Sequence, residues 1–316
     1  MQRRLLRALP TLLGITFLAF ALVRAAPGDP SPLSEGLRAG SASLAQIREY
    51  RHRMGLDEPF LQGYLRWLAH LLAGDLGHSF RDGRPVAALL AEALPVTLLL
   101  SLPSLLLGAL LAIPAGIVSA ARPSGLLDRA LGWTAFVLYS LPVQGVALAL
   151  VLLAGPSGWP IQGLRSEGVR SGLDLAAHLV LPVLCLAGGT VAVLARFLRS
   201  SMLEEMGQDY VRTARARGLP ERRVVLRHAL PNSLLSLITL FSLSLPGLVS
   251  GAVILERIFG LPGMGRLCFE AVLGRDLPVL MGVITLSGVL TMLGMLAADL
   301  LYAAADPRIS LRGERA

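Results

Sequence analysis

The chain has 316 residues, 54% of them hydrophobic and only 16% charged, with a mean hydropathy of +0.64; this excludes a water-soluble globular domain and indicates a polytopic membrane protein. All 29 basic residues are arginine, and the formal net charge is +8. Without a single lysine, a phosphate-binding GxxxxGK(S/T) loop and a lysine Schiff base are both excluded.

Uncharged stretches fall at 8–23, 93–121, 130–164, 175–195, 228–255 and 277–298. A helix needs about 20 residues to cross the hydrocarbon, so these predict six transmembrane helices and an all-α fold. The first, with Arg3, Arg4 and Arg7 before it and Ala25 and Ala26 after it, has a second reading as a cleaved secretory signal, which would leave five spans in unchanged orientation. Alternating spans from a cytoplasmic N-terminus places 16 Arg and 7 acids inside (1–7, 121–130, 196–231, 304–316). It places 13 of each outside (24–95, 155–177, 256–278). Setting aside the long 24–95 piece leaves 16 Arg inside against 5 outside, which predicts that both termini are cytoplasmic.

The predicted organisation is therefore a first helix with its basic N-terminus (1–26), an extracytoplasmic segment (27–92), a five-helix core (93–303) and a cytoplasmic tail (304–316). The extracytoplasmic segment opens with Pro27-Gly28-Asp29-Pro30, which stops the preceding helix. Within it, Phe60, Tyr64, Trp67, Leu68, Leu71 and Leu72 recur at helical spacing over 60–73. That helix reads equally as part of a folded cap or as an amphipathic piece lying on the membrane. Pro103, Pro114, Pro142, Pro182 and Pro246 fall inside spans two to five, as kinks or as ordinary membrane-helix prolines.

Residues 256–278 are too charged to cross and too apolar for a plain loop; they read as a structured outer segment with turns at Gly260, Pro262, Gly263 and Gly265 and a short helix in Leu267–Leu273. Asp299 is the one acid deep in an apolar run, and Cys185 and Cys268 sit at different predicted depths as separate, inert thiols. Histidines 52, 70, 78, 178 and 228 lack metal-ligand spacing, so no metal or catalytic residue is predicted.

The most informative segment is the cytoplasmic loop 199–232. Acids Glu204 and Glu205 and the basic end Arg215 and Arg217 predict one helix over 204–217, with Gly218 as its stop. Leu219-Pro220-Glu221 restarts a second helix running to Pro231 and Asn232. Tyr210, Thr213 and Ala214 are placed on the exposed face of this elbow. Its plain alternative is an arginine-rich anchor for anionic lipid.

Arg212-Thr213-Ala214-Arg215-Ala216-Arg217-Gly218, then nine residues, then His228-Ala229-Leu230-Pro231, resembles the EAA loop (EAAxxxG, nine residues, IxLP) of ABC importer permeases. Arg212, Thr213 and His228 depart from that pattern; Ala214, Gly218, Leu230 and Pro231 fit it. The string from Asp209 and Tyr210 to Ala216, the outer segment Met54–Val86, the stretch Leu255–Leu280 and the closing Ala305-Asp306-Pro307-Arg308-Ile309 are similar to the B-type subunit of the dipeptide/oligopeptide/nickel branch.

The resemblance implies a type I importer half-channel in a bacterial cytoplasmic (inner) membrane. It implies a homologous second permease, two cytoplasmic ATPase subunits that carry ATP and Mg, and an extracytoplasmic solute-binding protein; nucleic acid has no part. Asp209, Tyr210, Arg212, Thr213, Ala214, Arg215, Ala216, Arg217, Gly218 and Leu219, with His228, Leu230 and Pro231, would be the ATPase-coupling residues, and peptides, nickel chelates or similar small solutes the cargo.

Two other classes compete with that reading. An intramembrane serine protease would want GxSG, and the nearest string, Ile284-Thr285-Leu286-Ser287-Gly288, lacks the first glycine. A secondary transporter subunit would want more charge within the spans.

Overall fold

A computed structural model of the chain describes residues 2–25, 45, 48–49, 57–234, 237, 240–241 and 252–305. Apart from one bridge pairing His78 with Pro85, regular structure among the described residues is helical. In chain order the helices are α1 (Gln2–Ala25), α2 (Phe60–Leu72), α3 (Val86–Ala121), α4 (Leu126–Ser140), α5 (Val143–Ala154) and α6 (Gly172–Met206). They continue as α7 (Asp209–Ala216), α8 (Glu221–Val224), α9 (Val253–Ile258), α10 (Met264–Leu273) and α11 (Leu277–Ala305).

Among the described residues, three helices are long and apolar enough to cross a bilayer unaided: α3, α6 and the Leu277–Ala297 part of α11. The predicted third span is not one rod. Leu141 takes the extended conformation that a following proline favours, α4 ends, and α5 restarts after Pro142, so Leu126–Ser140 and Val143–Ser157 meet at 93°. Counting that pair as one crossing gives four, beside the shorter apolar stretch Leu9–Ala25. Half of the predicted fifth span, Pro246 included, lies outside the described residues, as do Pro27–Pro30, the tail 306–316 and the Asp299 side chain.

The chain divides into two compact units. The first comprises 1–97, 249–253 and 262–292. Here α2 is no free surface helix: the Tyr64 side chain is buried against α1, its hydroxyl 3.1 Å from Thr16 Oγ1 and donating to the Leu13 carbonyl at 3.2 Å. Phe17, Phe20, Phe60 and Tyr64 meet edge-to-face at 5.2–5.6 Å, each such pair adding about 0.5–1.5 kcal/mol beyond its burial.

Asp276, 3% exposed at the start of α11, holds the turn before α3. It accepts from the Ser79 hydroxyl and from the backbone N–H groups of Phe80 (3.1 Å) and Arg81 (3.4 Å). Val86, Leu90, Met264, Val279 and Val283 form the adjoining core. The predicted short helix in the 256–278 segment is α10, which begins three residues earlier, at Met264.

The second unit comprises 98–248, 254–261 and 293–316. Helices α3 and α6 approach closely at Gly108, where a Cβ would lie 2.5 Å from Thr190 Cγ2. Leu194, Leu198 and Met202 of α6 pack with Ala112 and Ala120 of α3, and that core extends through Val225 and Ala229 to Leu237. It is the root of the predicted elbow.

Candidate functional site

The elbow differs from its predicted form in three respects, each with a local cause. First, 204–217 is not one helix. Helix α6 runs on through Glu204 and Glu205 to Met206 and is capped at Gly207, whose N–H and that of Gln208 reach back to the carbonyls of Glu204 and Glu205. The acid at a helix start is therefore Asp209, in the first turn of α7.

Second, Ala214, expected on the exposed face, is 5% exposed. It packs with Val211 and Val224 and against Leu219 in a cluster belonging to the elbow alone. The chain closes there in a Schellman turn: Gly218 N–H bonds to Arg215 O at 2.9 Å and Leu219 N–H to Ala214 O at 3.4 Å. Gly218 sits at φ +77°, the left-handed region this turn requires and glycine enters without a Cβ penalty. Leu219 then folds back onto the helix it follows.

Third, the second arm changes pitch. Helix α8 lasts four residues, and Val225–Ala229 forms a π-turn, with Leu230 N–H bonding back to Val225 O. The chain then stays helical from 230 to 234, straight through Pro231. A wider turn just before a proline moves away the carbonyl that its ring would strike, which is why Pro231 does not end the helix.

Polar contacts fix the two arms to each other and to α6. The Tyr210 hydroxyl donates to Glu205 Oε2 at 2.5 Å, accepts from Asn232 Nδ2 at 2.9 Å and lies 3.3 Å from the His228 carbonyl. Burial, and then the Glu205 carboxylate, raise its pKa above the ordinary tyrosine value. Arg215 grips Glu221 with Nη2 at 2.6 Å and Nε at 3.2 Å, which lowers the carboxyl's pKa below the usual glutamate value and raises that of the guanidinium. Arg212 pairs with Asp209 at 3.4 Å, and Thr213 Oγ1 donates to the Asp209 carbonyl at 2.9 Å.

Of the sequence-predicted residues, Tyr210 and His228 are brought together, while Ala214 and Leu219 are packed inside the elbow. Asp209, Arg212, Thr213, Ala216, Arg217 and Pro231 face outward. Leu230 lies half-buried against the unit core. Glu205, Val224 and Asn232 were missed as members of the site. Asn232 carries no sequence signal, since its partner is 22 residues away; the signal for Val224 is its spacing after Leu219 and Pro220. The arrangement holds no catalytic constellation. It is a short rigid projection rooted in a helix core, with one polar face left open.

Residues 112–311 match the family model for the binding-protein-dependent transport system inner membrane component, and residues 1–101 match the model for the N-terminal part of such membrane components. The chain is 41% identical over 311 residues to the oligopeptide transport system permease protein AppB of Bacillus subtilis (strain 168), covering 97% of this chain and 98% of that one. It is 38% identical over 328 residues to the di/tripeptide transport system permease protein DppB of Pseudomonas aeruginosa (strain UCBPP-PA14), covering 97% of each. Among solved structures, a chain of the MetNI methionine ABC transporter in an inward-facing conformation superposes with a TM-score of 0.57 at 20% identity, over 70% of this chain and 97% of that one. The shared architecture is the all-α transmembrane-domain fold of type I ABC importers.

Proposed function

The chain belongs to the family of binding-protein-dependent transport system inner membrane components, as a multi-pass transport permease rather than an enzyme, and from that premise we propose that it forms half the channel of an ATP-driven peptide importer. Peptides are favoured over nickel chelates because the relatives are named for oligopeptides and di/tripeptides. A homologous second permease completes the channel, an extracytoplasmic binding protein delivers cargo, and two cytoplasmic subunits bind and hydrolyse ATP. Arginine excess in the short loops supports cytoplasmic placement of both termini and of the elbow.

The observation that carries the coupling role is mechanical. An element that transmits motion must be stiffer than the contact it makes, and α7–α8 has its own apolar cluster, a Schellman closure, and a root at Val225 and Ala229 inside the unit core. ATP-driven closure of the ATPase pair would then displace the whole projection and reorient the helices it is rooted in.

Since Ala214 is buried, a charge there would unfold the elbow and test nothing about partners; the outward-facing Thr213 and Ala216 are the informative positions. In the assembled importer, Ala216→Cys is expected to crosslink to an ATPase subunit, and Thr213→Glu to weaken ATPase co-purification and uptake while the permease still inserts. Crosslinking of Ala216→Cys from the outer side, or normal uptake by Thr213→Glu with no crosslink, would overturn the assignment.

A further inference from the structure

Away from the elbow, α4 and α6 flank an open groove of about 620 Å³ lined by Asp128, Arg129, Trp133, Phe136, Arg196 and Arg199. That volume lies within the range of small-ligand pockets, about 300–1,000 Å³. Three arginines meet one acid there, and their charges are unequally used. Arg199 is spent on Asp128, through Nε at 2.7 Å and Nη2 at 2.9 Å, and Asp128 also accepts from the Ser119 hydroxyl and from Ser124 N–H at 2.7 Å. Arg129 and Arg196 are exposed and make no ion pair among the described residues, so the groove carries two uncompensated positive charges.

The apolar side is equally specific. Trp133 is 68% exposed and Phe136 53%, their rings edge-to-face at 5.8 Å, one and two turns along α4 from Arg129. One turn advances about 5.4 Å, so cations and aromatics are stacked along the helix axis in the order headgroup, then hydrocarbon. Gly132 leaves the wall between them open, with nothing within 4 Å of where a Cβ would lie.

We propose that this groove binds an anionic phospholipid of the cytoplasmic leaflet, with the phosphodiester held by Arg129 and Arg196 and the acyl chains lying along Trp133 and Phe136. The Asp128–Arg199 pair fixes the facing helices and keeps the groove from closing. The site goes beyond the transport reading and shares with it only the cytoplasmic placement of this end of α6.

The test uses the whole importer in nanodiscs or by native mass spectrometry, with phosphatidylglycerol, phosphatidylcholine and inorganic phosphate as separate probes. Wild type is expected to retain phosphatidylglycerol in preference to phosphatidylcholine. The double variant Arg129→Gln, Arg196→Gln is expected to lose roughly 30-fold in that preference, from about fivefold per arginine. Arg129→Lys with Arg196→Lys should keep most of it, and Gly132→Leu, which fills the groove without touching a charge, should also lose it.

Preference within twofold of wild type in the double-glutamine variant would overturn the proposal, as would displacement of the lipid by inorganic phosphate. So would disulfide crosslinking of Trp133→Cys to the second permease, which would make the groove a protein seam. Labelling of Gln208→Cys by a membrane-impermeant reagent reads the orientation separately, so a failed lipid result is not confused with an inverted chain.

Discussion

The segment at 57–85 and the elbow at 207–234 both hang from ends of long helices, yet one is held by what it buries and the other is built to stay outside. In the first, Tyr64 is inserted among α1 aromatics, and a buried carboxylate 197 residues away in sequence gathers in the turn around Ser79. In the second, a small cluster of Val211, Ala214 and Val224 suffices, and most polar side chains point to solvent. Immobilising a segment calls for polar groups satisfied in the interior. A transmitting element instead needs internal stiffness and an uncommitted face.

The largest expected effect breaks the buried anchor. Asp276→Ala takes the carboxylate from the buried Ser79 hydroxyl and the Phe80 N–H, while Arg81 N–H keeps Ser79 Oγ at 3.2 Å; an unsatisfied buried group costs about 1–3 kcal/mol. The loss should be about 3 kcal/mol, read as a lowered unfolding temperature in detergent and as new tryptic cleavage at Arg81. An unchanged cleavage pattern would mean that the 79–81 turn is held by something other than Asp276.

Next comes the elbow's closure. Gly218→Ala meets no steric neighbour, so its cost is the left-handed backbone alone, about 1–2 kcal/mol for a residue with a Cβ. Gly218→Asn should recover much of that, because asparagine tolerates this conformation. Hydrogen exchange at the Gly218 and Leu219 amides reads it directly; equal protection in all three forms would show that the Schellman turn is not what closes the elbow.

These two sites also mark how far the sequence could be read. Helices α3, α6 and α11 were legible because a run of uncharged residues longer than a bilayer admits few alternatives, and the α2 register was legible from Phe60, Tyr64 and Trp67. Gly218 was visible because φ > 0 narrows the choice of residue. Asp276 was not: one acid among thirteen counted in outer segments says nothing of the hydroxyl it meets. Ala214 was misplaced because an alanine in a short, arginine-rich helix is compatible with either face until the fold of Leu219 back onto it is known. The π-turn went unseen because its cause is a clash avoided at Pro231, which no local propensity records.

Tyr210→Phe sharpens the comparison on the functional side. It removes one hydroxyl from a junction with Glu205 and Asn232, where water can replace it, so stability should fall by only about 1 kcal/mol. If the elbow transmits force, however, loosening its tie to α6 should lower the peptide imported per ATP hydrolysed severalfold while ATPase co-purification is unchanged. An unchanged ratio would confine the junction to a structural role.

The smallest effect concerns the Arg215–Glu221 pair. Exposed pairs contribute a few tenths of a kcal/mol, and this one has the bidentate geometry that reaches the upper part of that range. Because Arg215 depresses the Glu221 pKa below its ordinary 4.5, the contribution is present above that pH and is lost as the pH falls through the lowered folded-state value. Amide protection across α7 and α8 should therefore be slightly greater at neutral pH than in acid, and Glu221→Gln should remove this pair's share of the difference. A full pH response in the glutamine variant would show that the Arg215–Glu221 pair is not its source.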